Sequence, residues 1–146
     1  MEWRWKQFTD LRLNELYELI QLRERVFVVE QSCVYLDCDG LDQQSWHLAG
    51  YKGHELVTYL RVLPAKLKYP EISFGRVVTA PEHRKFGYGK DLTKQALVNI
   101  RDTFGEVSIR ISAQAYLEKF YGACGFTRQG EEYLEDGIPH IEMLRG

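Results

Sequence analysis

The segment 72–104, ISFGRVVTAPEHRKFGYGKDLTKQALVNIRDTF, constrains this chain more than any other. Its first part, Ile72 to Thr79, holds Ile, Phe, two Val and Thr, residue types that fit a pleated surface. Pro81 ends that strand, having no N–H to give a ladder. Arg84 to Lys90 then brings two glycines and three cations into seven positions. Beyond it Leu92, Gln95-Ala96, Asn99-Ile100 and Thr103 fall on one stripe of a helix, with Leu97 and Phe104 beside it. Strand, glycine-rich turn and helix in this order offer a seat for an anion. The first N–H groups of a helix lack partners, its dipole favours negative charge, and glycine lets a ligand approach the backbone.

Spacing narrows the choice of anion. A Walker loop needs a glycine five positions before Gly89 and Ser or Thr after Lys90; Arg84 and Asp91 stand there. A dinucleotide fingerprint needs a glycine three after Gly89, where the chain has Leu92. What remains is R-x-x-G-x-G, filled by Arg84, Gly87 and Gly89, directly after the V-V-x-x-P strand end at Val77 to Pro81. That order resembles motif A of the GNAT N-acetyltransferases, whose loop holds the pyrophosphate of acetyl-coenzyme A.

With 146 residues, 45% of them hydrophobic, the chain is expected to form one domain, 1–146, with an ordinary core. A net charge of −2 provides no broad basic field, so nucleic acid is not an expected partner. Cys33, Cys38 and Cys124 lack the paired C-x-x-C clusters of a zinc site and are read as reduced thiols, with no metal expected. Asp37, Asp39 and Asp42 hint at calcium, but a calcium loop counted from Asp37 needs glycine where Asp42 stands and glutamate where Leu48 stands. The acidic stretch is therefore read as a solvated loop, able at most to steer a cationic acceptor. The N-terminus MEWRWKQF resembles no signal peptide and no apolar run approaches membrane-spanning length, so a soluble, cytoplasmic protein is expected.

In chain order, Trp3 to Phe8 alternates as a short strand, and Thr9-Asp10 is placed to cap a helix reaching Val29 or Glu30. Leu13, Leu16-Tyr17, Ile20, Glu24 and Phe27 form its expected core stripe. Strands follow at 45–51 and 55–63 around the turn Lys52-Gly53-His54, then at 72–79, and after the central helix at 107–112. A short helix is expected over Gln114 to Gly122, then strands from Phe126 and over His140 to Leu144, separated by the turn Glu135-Asp136-Gly137. The order is β-α-β-β-β-α-β-α-β-β, an α+β chain with a mixed, mostly antiparallel sheet and helices on both faces.

This order matches the GNAT fold over nearly the whole chain, and Phe120-Tyr121-Gly122-Ala123-Cys124-Gly125-Phe126 resembles the family's F-Y-x-x-x-G-F segment. The stretches Arg25 to Gln31, Asp37 to Gly40 and Asp136 to Ile141 are similar to the ElaA-type branch, which points to a relative and to no substrate. The resemblance implies splayed central strands and an acetyl-CoA-dependent transfer to a primary amine in a ternary complex. It places the coenzyme pyrophosphate on Arg84, Lys85, Phe86, Gly87, Tyr88, Gly89 and Lys90, and the pantetheine on backbone groups of Val77, Val78 and Thr79. The Val77 N–H would polarise the acetyl carbonyl. Gln114 substitutes for an asparagine that the family often carries after its fifth strand.

Tyr121 is the candidate acid for the departing thiolate, since a phenol of pKa near 10 stays protonated at neutral pH; the alternative is a core aromatic. His140 and Glu142 share one face of the last strand and are candidate bases. Histidine titrates near neutrality, which suits a base acting through water, and a positioning or structural role is the alternative. Arg76 faces either the acceptor cleft or a carboxylate. A non-catalytic acyl-CoA-binding module on the same fold is the competing class, because fold does not fix function. Sheet edges leave a homodimer open.

Overall fold

The computed structural model describes residues 1–146. Seven strands and three α-helices follow the expected order: β1 Glu2–Gln7, α1 Leu13–Arg23, β2 Trp46–Lys52, β3 Glu55–Leu63, β4 Ser73–Thr79, α2 Tyr88–Phe104, β5 Ile109–Gln114, α3 Glu118–Ala123, β6 Phe126–Glu135 and β7 Ile138–Arg145. The expected single sheet is divided in two. One half runs β1-β2-β3-β4 and the other β5-β7-β6, each antiparallel throughout. They join through one parallel bridge, Ile72 to Ile109, with the Arg110 N–H donating to Ile72 O at 2.8 Å. Past that bridge β4 and β5 part, which is the expected splay.

Alternation along β2 and β3 builds two cores. Leu48, Leu60 and Val62 meet Leu92, Ala96 and Ile100 of α2, together with Tyr121 and Phe126. Ala49 and Tyr59 turn to the other face, where Leu19, Leu22 and Val26 cover them. Helices α1 and α2 therefore lie on opposite faces, as a strand's two-residue period requires. Full burial of each such aliphatic side chain stabilises the fold by about 1.5–3 kcal/mol. No helix is long and apolar enough to cross a membrane.

The first helix departs from expectation in start, end and face. Residues Phe8–Asp10 form a separate 3-10 turn, and α1 opens after Arg12, whose N–H donates to Glu15 Oε1 at 2.9 Å. From Glu24 to Glu30 the helix widens into π geometry. Its buried line is Glu15, Leu19, Leu22, Arg23 and Val26, while Leu13 is 87% and Tyr17 69% exposed. Leu16, Ile20 and Phe27 only flank the core. Two charges on the buried line misled the apolar period. Glu15 is held by Arg4 at 3.0 Å and Lys6 at 2.8 Å, and although burial works against its charge, these partners bring its pKa down to about 2.

The acidic stretch is a correction. Asp37 and Asp42 are buried, and together with Asp39 they neutralise three arginines from three elements. Arg23 of α1, fully buried, donates Nε to Asp37 Oδ2 and Nη1 to Asp42 Oδ1, both at 2.8 Å. Arg61 of β3 reaches Asp42 at 2.8 Å and Asp39 at 2.5 Å. Arg76 of β4 sits 2.8 Å from Asp37 Oδ1 and 3.3 Å from Asp39 Oδ2. These carboxylates hold the loop onto the sheet and leave little charge to steer an acceptor. Smaller corrections are at 107–114, where the strand starts at Ile109 and takes in Gln114, and at the following helix, which begins as a 3-10 turn at Ala115. All three cysteines are free thiols.

Candidate active site

The parting of β4 and β5 opens a cleft of about 670 Å³. Val77, Val78, Thr79, Arg84, Gln114, Tyr121 and His140 line it, bringing together residues from β4, β5, α3 and β7. Lys85 to Lys90 lie beyond its rim, at the start of α2. Glu142 is outside its lining.

The β4 wall is irregular where chemistry would need it. Val78 pairs with Tyr59 and Gly75 with Arg61, so Arg76 and Val77 together face Leu60 in a β-bulge. Arg76 takes a left-handed φ of 52°, rare for a residue with a side chain. Neither Arg76 nor Val77 has a register partner in β3, and β5 has already diverged. Val77 therefore presents backbone groups that no neighbouring strand claims, as pantetheine or a thioester carbonyl would require.

At the other end Gly87, at φ 79°, precedes the first turn of α2, where no side chain caps the helix. The first intrahelical bond runs from the Asp91 N–H to Gly87 O at 3.1 Å, leaving the N–H groups of Tyr88, Gly89 and Lys90 open. A Cβ on Gly89 would meet no protein atom within 4 Å, so the space before the loop is clear. Lys85, Phe86 and Lys90 are exposed. Arg84 differs from the expectation that its charge serves an anion. It forms a fork with Glu30 at 2.8 and 2.6 Å, tying the π end of the first helix to the loop. The Tyr88 hydroxyl accepts from Lys52 Nζ at 3.0 Å.

Tyr121 is 5% exposed, packed against Phe74, Phe120 and Phe126. Burial pushes its phenol above the ordinary tyrosine range, so it stays protonated across all working pH. Arg76 Nε is the one fully buried side-chain polar atom without a hydrogen bond. The Tyr121 hydroxyl, which bonds to no protein group, therefore opens on the cleft.

His140 is 7% exposed and its Nδ1 donates to Ile138 O at 2.7 Å, which fixes the neutral tautomer with Nε2 as the acceptor nitrogen. Glu135 Oε2 stands 3.5 Å from that Nε2, a neighbour that the sequence did not single out. Its other oxygen accepts from Ser112 Oγ at 3.4 Å, and Ser112 bonds the Tyr133 hydroxyl. The turn Asp136-Gly137, with φ of 52° and 77°, brings Glu135 back beside His140. Glu142 shares the His140 face of β7 as expected, but Arg110 Nη1 donates to it at 3.0 Å.

A second hollow of about 820 Å³ lies between α1 and the β2–β3 turn, lined largely by exposed charges. Glu55, Glu82 and His83 approach one another at its edge, but Glu82 is already forked to Arg25 and His83 is paired with Glu55 at 2.7 Å. It contains neither motif.

Comparison with known proteins gives a consistent picture. Residues 24–145 match the family model described as an acetyltransferase (GNAT) domain. The chain is 38% identical to protein ElaA of Escherichia coli over 147 aligned positions, covering 99% of this chain and 96% of that one. The crystal structure of Escherichia coli ElaA superposes with a TM-score of 0.93 over the whole of both chains at 37% identity. The crystal structure of an acyl-CoA N-acyltransferase from Pseudomonas aeruginosa does so with a TM-score of 0.94 at 41% identity, again over both whole chains. An aminoglycoside 6'-N-acetyltransferase complexed with coenzyme A, 14% identical, shares the fold with a TM-score of 0.71, covering 97% of this chain and 96% of that one.

Proposed function

The chain belongs to the GNAT acetyltransferase family, and on that premise we propose that it moves an acetyl group from acetyl-CoA to a primary amine in a ternary complex. The observation that carries this reading is the splayed cleft, with the unclaimed backbone of Val77 in one wall and the free hydroxyl of Tyr121 in another. The open N–H groups at Tyr88 to Lys90 take the pyrophosphate, with Lys85 and Lys90 adding charge. Val77, Val78 and Thr79 pair with pantetheine, and Gln114 adds a polar contact from β5. The acceptor ammonium gives one proton to His140 Nε2, directly or through water, and the neutral amine attacks the acetyl carbonyl carbon. The Val77 N–H stabilises the oxyanion, the C–S bond breaks as Tyr121 donates its proton to the leaving thiolate, and the new amide nitrogen sheds its second proton to solvent, from which Tyr121 is reprotonated. Glu142, neutralised by Arg110, is reassigned to holding β5 against β7. Free-thiol release from acetyl-CoA across a panel of amines, with product masses, tests the reading; tight CoA binding with no product from any amine would favour a binding module.

Two variants separate the parts. Gly89→Val should fold normally, because its side chain meets open space and valine suits a helix better than glycine. The methyl groups would occupy the path of the pyrophosphate, so the stabilisation by CoA, roughly 2.7 kcal/mol at a hundred times Kd, should largely vanish in a melting experiment. Equal stabilisation of both proteins would remove the loop from coenzyme binding. His140→Gln should flatten the rising limb of kcat/KM against pH at saturating acetyl-CoA. An unchanged profile with a raised acceptor KM would make His140 a positioning residue.

A further inference from the structure

We infer that Arg76, clamped from outside the sheet by the 33–42 loop, is the positioning residue that holds the β4 bulge and so aims the Val77 N–H at the thioester carbonyl. This rests on the acetyl-CoA reading above. A left-handed φ of 52° in a residue with a side chain is strained and persists only where the surroundings impose it. The surroundings here are specific. The guanidinium lies 2.8 Å from Asp37 Oδ1 through Nε, and Nη2 donates to Asp37 O at 3.1 Å and to Asp39 Oδ2 at 3.3 Å. The Tyr35 ring covers it at 5.6 Å, and the Tyr35 hydroxyl donates to the same Asp37 oxygen at 2.7 Å. Asp37 is in turn fixed by Arg23 of α1, and Asp39 by Arg61 of β3, so the clamp is anchored at two other elements. The Nε contact is close but not aligned as a hydrogen bond, leaving that N–H the one fully buried polar side-chain atom without a partner. A fork pulled out of ideal alignment fits a side chain placed by its strained backbone, not one free to optimise its own bonds. The bulge it terminates is the segment that strips Val77 of strand partners.

The test uses acetyl-CoA labelled with ¹³C at the acetyl carbonyl and needs no acceptor. Arg76→Gly removes the fork but lets the backbone keep φ above zero without cost, whereas Arg76→Ala removes the fork and keeps the penalty. Both should fold, because Asp37 retains Arg23, Asp39 retains Arg61, and the Arg76 side chain is already 23% exposed. In the wild type, the infrared carbonyl stretch of bound acetyl-CoA should lie below that of the free thioester. In both variants it should return towards the free value, with acetyl-CoA affinity by calorimetry within a few-fold, since the pyrophosphate loop is untouched. A lowered stretch retained in Arg76→Gly alone would show that the left-handed backbone suffices and the clamp is idle. Retention in both would overturn the proposal outright. Failure of the wild type to bind acetyl-CoA would instead sink the functional reading, and the clamp's role with it. A variant that binds the coenzyme as wild type does but gives an unpolarised carbonyl is the result that the clamp alone explains.

Discussion

Tyr121→Phe is expected to lower turnover on the order of 10²-fold or more, the range for a positioned acid, with little change in melting or acetyl-CoA affinity. The ring carries the structural role, through Phe74 at 6.2 Å, Phe126 at 5.9 Å and Phe120 at 5.1 Å, and phenylalanine keeps all three contacts. The hydroxyl makes no bond within the protein, so its removal should shift stability by less than the ~1 kcal/mol of an ordinary hydrogen bond. Burial makes the phenol a weaker acid than tyrosine in water. The group therefore keeps its proton until thiolate charge builds in front of it, which is when a donor helps most. Measuring kcat, coenzyme affinity and melting on one preparation separates this role from packing. Full turnover in a well-folded Tyr121→Phe protein would return Tyr121 to the core and leave the thiolate to be protonated by solvent.

Arg23→Met is expected to be the most damaging single change to stability, costing about 3–5 kcal/mol, the scale for breaking a buried ion pair from one side. Methionine nearly fills the volume, so the loss is electrostatic. Asp37 and Asp42 would keep Arg76 and Arg61, but a cluster now balanced at three arginines against three aspartates would carry one uncompensated negative charge. The acid limb provides a second readout. Burial alone would raise the Asp42 pKa, but Arg23 and Arg61 outweigh it and hold that carboxyl below its usual range. Its contribution is thus present above the unfolded value near 4 and is lost as pH falls through the depressed folded value. Without Arg23 the depression shrinks, so acid unfolding should begin at higher pH in Arg23→Met. A loss under 1 kcal/mol with an unmoved acid limb would mean that the loop is solvated, as its composition implies.

The element order and the strand–loop–helix centre were legible because each is written locally. The turn Lys52-Gly53-His54 between β2 and β3, the break at Pro81, and the glycines at 87 and 89 act within a few residues of where they stand. Glycine at position 87 states its left-handed φ directly. The same local code placed Tyr121 and His140 on elements that do meet at the cleft. It misplaced the face of the first helix because Glu15 and Arg23 are buried by partners from other elements.

Motif spacing, apolar period and turn chemistry thus determined the element order, the glycine–cation loop at the head of α2, and the elements that carry Tyr121 and His140. What tertiary structure alone decided is every matter of charge partnership. It turned Asp37, Asp39 and Asp42 from an apparent solvated run into ballast for three arginines, spent Arg84 on Glu30 and Glu142 on Arg110, and set Glu135 beside His140. It also bent β4 at Arg76, a residue with no local preference for a left-handed backbone. The physical reason is common to all of these. A side chain's charge has the same identity in any sequence, but whether it is free, neutralised or forced into strain depends on which distant group lies within about 4 Å, the reach of a direct ion pair.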